Sequence, residues 1–306
     1  MAEYFMPKRG AGFLNKIYTW LKTGKRFRPS FPRAVEFQTL STCNAKCLFC
    51  PHSQSPERIP HGRMEDGMID AIIDECSRHL VGRISPYLTN EPLLDKRMPD
   101  ILAAIRKRCR PFVKTKINTN ASLLTETVGR RLIDSGLSQL WFSVNGYSPE
   151  TYRASMGLDF KVSMANIDAF LALKKKLGRR RPGIKVTTLN TSLIRPELPY
   201  AREYWAKRGV AFSVHHMDNR AGSVPANIAP TAFTPKRNCD LFLKQAYIVE
   251  NGDMILCCHD WRQTVVLGNI ARSSIKEIWN SPSFLDRIYE YYAGDFRNIA
   301  ICRACG

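Results

Sequence analysis

No stretch of this 306-residue chain stays apolar for the roughly 18 residues that a membrane-spanning helix requires, so no such helix is expected. The N-terminus lacks the apolar core of an export signal, and the cysteines are bunched instead of spread through a disulfide framework. Both features predict a reducing compartment, the cytoplasm, with the thiols serving metal. No sequence period recurs, which excludes a solenoid or a propeller. Acidic residues are scarce: 27 Asp and Glu face 46 Lys and Arg, for a net charge of +19. This excess favours anionic partners, such as phosphorylated or nucleotide-linked substrates, an acidic electron donor, a polyanion or a membrane surface. The densest basic runs, Arg106 to Arg110 and Lys174 to Arg181, contain no aromatics on which bases could stack, so nucleic acid is not the expected partner. Both runs follow amphipathic stretches, where cations complement the C-terminal end of a helix dipole.

What is present is an α/β alternation. Apolar runs at 34–40, 83–88, 113–118, 139–145, 184–190 and 210–215 predict strands. Amphipathic stretches at 65–79, 98–107, 125–135, 163–176 and 198–207 predict the helices between them. Six such units with right-handed crossovers predict a parallel sheet curled into a partial, TIM-like (β/α)6 barrel, with ligands at the C-terminal ends of the strands. Residues 1–32 read as a basic extension carrying one amphipathic segment, Phe13 to Leu21, able to dock on its own domain or to touch a membrane surface. The barrel is expected over 33–221. A small cysteine-rich domain is expected over 222–306, after a linker punctuated by Pro225, Pro230 and Pro235.

The most informative residues follow the first strand. Cys43, Cys47 and Cys50 form a C-x3-C-x2-C triad. Three thiolates can hold three irons of a four-iron cluster and leave the fourth open to bind and activate a small molecule. A closed zinc site with His52 as fourth donor is the alternative, although the x3 spacing and Phe49 fit it poorly. With Phe49 as the aromatic before the last cysteine, the triad resembles the signature of the radical S-adenosylmethionine (AdoMet) superfamily. That resemblance implies a 4Fe-4S cluster whose open iron chelates AdoMet, and reductive cleavage of AdoMet to a 5'-deoxyadenosyl radical. Asn90-Glu91-Pro92-Leu93-Leu94 is similar to the extended Gly-Gly-Glu motif of that superfamily. Glu91 and Asn90 are therefore implied to meet the methionine amine, although Thr89 and Asn90 stand where glycines are common. Asn118, in Asn118-Thr119-Asn120 at the end of the third strand, and Ser143 and Asn145, in Ser143-Val144-Asn145-Gly146 at the end of the fourth, are implied AdoMet contacts; without the resemblance, polar strand ends read as turn formers. Arg153 is the candidate catalytic side chain, since a guanidinium suits carboxylate or hydroxyl recognition, with a surface ion pair as the alternative. His215 and His216 are given no chemistry, and Cys76 and Cys109 read as buried small apolar residues.

Cys239, Cys257, Cys258, Cys302 and Cys305 supply a second group of thiols. Their spacing resembles the SPASM/twitch extension found in radical AdoMet enzymes. The resemblance implies an auxiliary 4Fe-4S cluster on Cys239, Cys257, Cys302 and Cys305, with Cys258 spare; a structural four-cysteine zinc is the alternative. A closed auxiliary cluster implies electron transfer, and hence dehydrogenation of a secondary alcohol on a sugar or aminocyclitol-type metabolite, with flavodoxin or ferredoxin as reductant. Peptide modification is the enzymatic alternative, for which the stretch before the first strand leaves no recognition domain. A basic iron-sulfur module for RNA or a membrane surface is the non-enzymatic one.

Overall fold

The computed structural model describes residues 28–54, 62–224 and 239–305. The segment expected to be amphipathic, Phe13 to Leu21, and the linker prolines lie outside the described residues. β1 (Ala34–Phe37) leads through the cysteine loop and α1 (Pro51–Gln54) to α2 (Asp66–Arg78). The alternation continues with β2 (Arg83–Ser85), α3 (Met98–Arg108), β3 (Lys114–Thr119), α4 (Glu126–Asp134) and β4 (Gln139–Ser143). After these come α5 (Pro149–Met156), α6 (Phe160–Lys176), β5 (Gly183–Asn190), α7 (Leu198–Lys207) and β6 (Ala211–His216).

Side-chain caps set several helix starts. Thr125 Oγ1 accepts from Val128 N at 3.3 Å, Ser148 Oγ from Thr151 N at 3.2 Å and Asp159 Oδ1 from Lys161 N at 2.8 Å. The last two caps explain what the periodicity missed: α5 is too short to show a repeat, and α6 begins before the predicted 163. β1 and β2 end earlier than the predicted 40 and 88, because the following residues are held by side chains. Gln38 Oε1 accepts from Thr89 N at 3.2 Å, and Gln38 Nε2 donates to Glu250 Oε2 at 2.7 Å.

The sheet runs β6-β5-β4-β3-β2-β1 in space, all parallel, which is the expected partial barrel. On its far side β1 pairs in parallel with β7 (Gln245–Ile248), Val35 lying opposite Ile84 on one flank and Ala246 on the other. β8 (Asp253–Ile255) and β9 (Val266–Asn269) extend the same sheet antiparallel. β6 and β9 are the two edges, so the barrel stays open.

Alternation decides the two faces of the barrel strands. Val35, Phe37, Ile84, Ile117, Leu140, Phe142 and Val186 are buried beneath the helices. The intervening Glu36, Arg83, Lys116, Asn118, Trp141, Ser143, Lys185 and Thr187 line the concave side and keep partial exposure. Fully buried parallel strands read as continuous apolar runs, so these polar positions mark a solvated lumen.

α8 (Ile275–Trp279), α9 (Pro282–Ala293) and α10 (Ala300–Ala304) complete the chain. Glu75 on α2 accepts from the N–H groups of Ile275 and Lys276, each at 2.8 Å, and so caps α8 from across the core. Trp279 and Phe284 share one core with Val35, Ile84 and Ile248, and each fully buried side chain of this size contributes roughly 1.5–3 kcal/mol. Among the described residues, no helix is long and apolar enough to cross a membrane.

Candidate active site

The triad lies on the loop leaving the C-terminal end of β1, and that loop rests on the end of α5. Lys46 N donates to Met156 O and Leu48 N to Ser155 O, each at 2.9 Å. Gly157 ends α5 with φ +66°, and a Cβ there would sit 2.8 Å from Lys46 Cβ, so only glycine lets the loop approach. Phe49 is buried against Ile194 and Leu198, pinning the loop between Cys47 and Cys50. A ring nitrogen of His52 lies 3.2 Å from Ser41 O, so this histidine braces the loop.

All three thiols are free. Burial pushes the Cys43 thiol up to about 11, with Glu91 and Cys50 adding to the rise. Burial likewise raises Cys47, followed by the charges of Cys50 and Cys43, and burial raises Cys50. Thiolates gathered this way need a compensating cation. Among the described residues no three His, Cys, Asp or Glu side chains close around a single ion, as a zinc at about 2.3 Å from each sulfur would require.

Glu91 is buried where β2 and β3 end. Its Oε1 accepts from Thr119 Oγ1 at 2.6 Å and from Leu93 N at 3.1 Å, and its Oε2 accepts from Asn120 N at 2.9 Å. Asn120 Nδ2 donates to Asn44 Oδ1 at 2.9 Å, and Asn44 Nδ2 to Ser122 Oγ at 2.8 Å, so the network runs into the triad itself. Burial raises the Glu91 carboxyl to about 7, against the pull of Thr119, Asn120 and Leu93. A move from 4.5 to about 7 corresponds to roughly 3 kcal/mol. The folded chain therefore holds a proton that the unfolded chain has lost, and this contribution, full below pH 4.5, disappears as pH rises through about 7. Denaturant titrations of wild type and Glu91→Gln are expected to show the wild-type advantage shrinking by up to roughly 3 kcal/mol over that range. A pH-independent difference would refute it.

The other predicted contacts differ in placement. Asn90 Oδ1 accepts from Leu88 N at 3.1 Å, while its buried Nδ2 has no partner among the described residues. The buried Oδ1 of Asn118 is likewise unpartnered, on the lumen side of β3. Ser143 lines the lumen, half-buried. Asn145 Oδ1 accepts from Leu189 N at 2.9 Å, which ties β4 to β5. Arg153 is exposed on α5, and no hydrogen bond joins it to the Glu91 network. The sequence selected neither Thr119, Asn120 nor Asn44, although all three lie inside the motifs it singled out.

The C-terminal thiols form a second group. Cys239, Cys257 and Cys302 pack on the same core, and Cys305 Sγ lies 3.6 Å from His259 Nδ1. Burial pushes Cys302 up to about 12, with Cys305 and Cys239 contributing. Cys258 faces a different cluster, with Tyr247, Val249 and Leu88. His259 Nε2 stands 3.6 Å from Asp218 Oδ2, and Arg220 Nε stands 3.3 Å from Asp218 Oδ1, so a polar chain joins Cys305 to the segment after β6.

An open parallel barrel carrying a three-thiol loop and a buried acid on its C-terminal rim defines an iron-sulfur enzyme. The model described as the Radical SAM superfamily matches residues 38–191, half of the chain, and the chain belongs to that superfamily. A second model, SPASM, described as an iron-sulfur cluster-binding domain, matches residues 239–306. The chain is 22% identical over 272 residues to the S-adenosyl-L-methionine-dependent 2-deoxy-scyllo-inosamine dehydrogenase of Niallia circulans, covering 89% of this chain and 91% of that one. It is 26% identical over 140 residues to the AdoMet-dependent heme synthase of Methanosarcina barkeri, covering 45% of this chain and 38% of that one. Among solved structures, BtrN in complex with AdoMet and 2-DOIA superposes with a TM-score of 0.64 at 20% identity, over 90% of this chain and 92% of that one. SuiB of Streptococcus suis bound to the precursor peptide SuiA gives 0.67 at 15% identity, over 96% and 73%.

The cofactors of such a chain are 4Fe-4S clusters and AdoMet. The residues present fit them: three free thiols that repel one another when ionised, a buried acid beside them, and the orphaned amide atoms of Asn90 and Asn118.

Proposed function

We propose that this chain is a radical AdoMet oxidoreductase that dehydrogenates a secondary alcohol on a sugar or aminocyclitol-type metabolite. The carrying observation is the presence in one chain of a three-thiol loop after β1 and of a second set of thiols, with Cys239, Cys257 and Cys302 packed on one core and Cys305 beside Cys302. The similarity to the 2-deoxy-scyllo-inosamine dehydrogenase, spread over 89% of the chain, supports the same reading.

In this proposal Cys43, Cys47 and Cys50 hold the AdoMet cluster, and Cys239, Cys257, Cys302 and Cys305 hold the auxiliary one. When bound, these groups supply a carbon radical that takes the carbinol hydrogen atom and an acceptor for the electron left after the hydroxyl proton departs. The protein's own part is positional. Glu91, fixed by Thr119 and Asn120, presents a carboxylate to the AdoMet amine; Asn90, Asn118 and Ser143 offer polar atoms along the rim; Phe49 sets the loop. Arg153, exposed at the end of α5, is retained as a substrate contact. Residues 33–221 and 222–306 are the proposed domains, although β7 continues the barrel sheet. An acidic flavodoxin or ferredoxin in the cytoplasm suits the net charge of +19.

Anaerobic turnover with reductant and AdoMet tests the function. A ketone and one 5'-deoxyadenosine per turnover are expected; a redox-neutral product or a modified peptide would overturn it.

A further inference from the structure

The concave face of the barrel gathers charge of one sign. Lys116 Nζ stands 3.7 Å from the centroid of the Trp141 ring, and Lys185 Nζ stands 4.5 Å from the same centroid. Trp141 and Lys185 are register neighbours, and Asn118 lies opposite Trp141 on the other side. Glu36 is the carboxylate of this face, and Arg83 Nη2 already donates to its Oε1 at 2.8 Å. Neither lysine forms an ion pair among the described residues. Burial lowers Lys116 to about 8, and Arg83 and Lys185 lower it further against Glu36. His215 is lowered by burial and then by Lys185 and Lys116, so these groups share one space. Arg83, Lys116 and Lys185 against Glu36 leave an excess of two positive charges in a solvated lumen.

Two ammonium groups held against one indole repel each other, and an anion that reaches both past the ring lowers that cost. Lys116 lies three residues before Thr119, roughly 10 Å below the rim that carries the triad loop. We propose that Lys116 and Lys185, flanking Trp141, bind the phosphate of a phosphorylated polar metabolite. This deepens the dehydrogenase reading and rests on it for the reaction, though not for the binding. A dianionic phosphate ester matches the excess charge, so within the proposed substrate class this site favours a phosphorylated sugar over a free aminocyclitol.

The test is isothermal titration calorimetry of the reconstituted, AdoMet-bound enzyme with inorganic pyrophosphate as probe. One saturable site is expected, weakened at least ~10-fold in Lys116→Gln and in Lys185→Gln. Lys175→Gln, which removes a cation from the outer helix α6, should leave it unchanged. Competition by glucose 6-phosphate or by UDP-glucose then separates a phosphate monoester from a nucleotide diphosphate. The proposal is overturned if no saturable site exists, if the two lumen variants bind as wild type does, or if glucosamine competes better than both phosphorylated probes. Failure of the dehydrogenase reading shows separately, as absent AdoMet cleavage in a protein that still binds pyrophosphate.

Discussion

Changing Cys43, Cys47 and Cys50 together to alanine is expected to lower the iron of the reconstituted protein from about eight to about four atoms per chain and to abolish AdoMet cleavage. The loss is complete because no other described donor replaces them: His52 is turned to Ser41 O, and the Glu91 carboxyl is occupied by Thr119, Asn120 and Leu93. The fold should survive. The thiols lie on a half-buried loop, and the contacts that seat it are the backbone bonds to α5 and the apolar nest of Phe49. Burial raises all three thiols, so in the apo chain they are protonated and uncharged, and their replacement by the similarly small alanine should leave the melting temperature of the apo protein nearly unchanged. Iron and sulfide assays beside circular dichroism read both halves. Retained AdoMet cleavage would remove the triad from the chemistry, and iron falling to zero would mean that the two sites assemble together.

The barrel was legible because its signals are local. Each predicted strand from 34 to 215 exists, and the basic run at Arg106 to Arg110 is the solvated helix end it was read to be: Arg108 pairs with Asp70 at 2.5 Å and Arg106 Nη1 donates to Pro111 O at 2.8 Å. The parallel pairing of β7 with β1 was not legible. It joins residues more than two hundred apart, and a four-residue apolar run carries no mark of its partner. The triad stood out by residue type and spacing, and Glu91 only through the resemblance of Asn90 to Leu94 to a motif of the superfamily. The lysines on Trp141 did not, since alternation places Lys116, Trp141 and Lys185 on one face without showing that three separate strands bring them to one ring. Thr119 and Asn120 were passed over for Asn118 because polarity at a strand end does not reveal which side chain turns toward Glu91.

Cys257→Ser and Cys258→Ser are expected to part sharply. The two adjacent thiols sit on the turn after β8 and hydrogen-bond each other, so what separates them is the surface each side chain packs on. Cys257 packs on the core that holds Cys239 and Cys302, and its sulfur accepts from His259 N at 3.4 Å, a donor suited to a ligating thiolate. Cys258 instead packs with Tyr247 and Leu88. Cys257→Ser should therefore lose the auxiliary cluster, lowering iron from about eight to about four atoms per chain, and should stop ketone formation while AdoMet cleavage continues uncoupled. Cys258→Ser should keep both its iron and its product. The separation of AdoMet cleavage from product is what assigns the second cluster to electron acceptance; a Cys257→Ser enzyme that still made ketone would leave that cluster a purely structural role. The reverse pattern, iron lost only in Cys258→Ser, would transfer the ligand to the neighbouring position and place the auxiliary cluster against Tyr247.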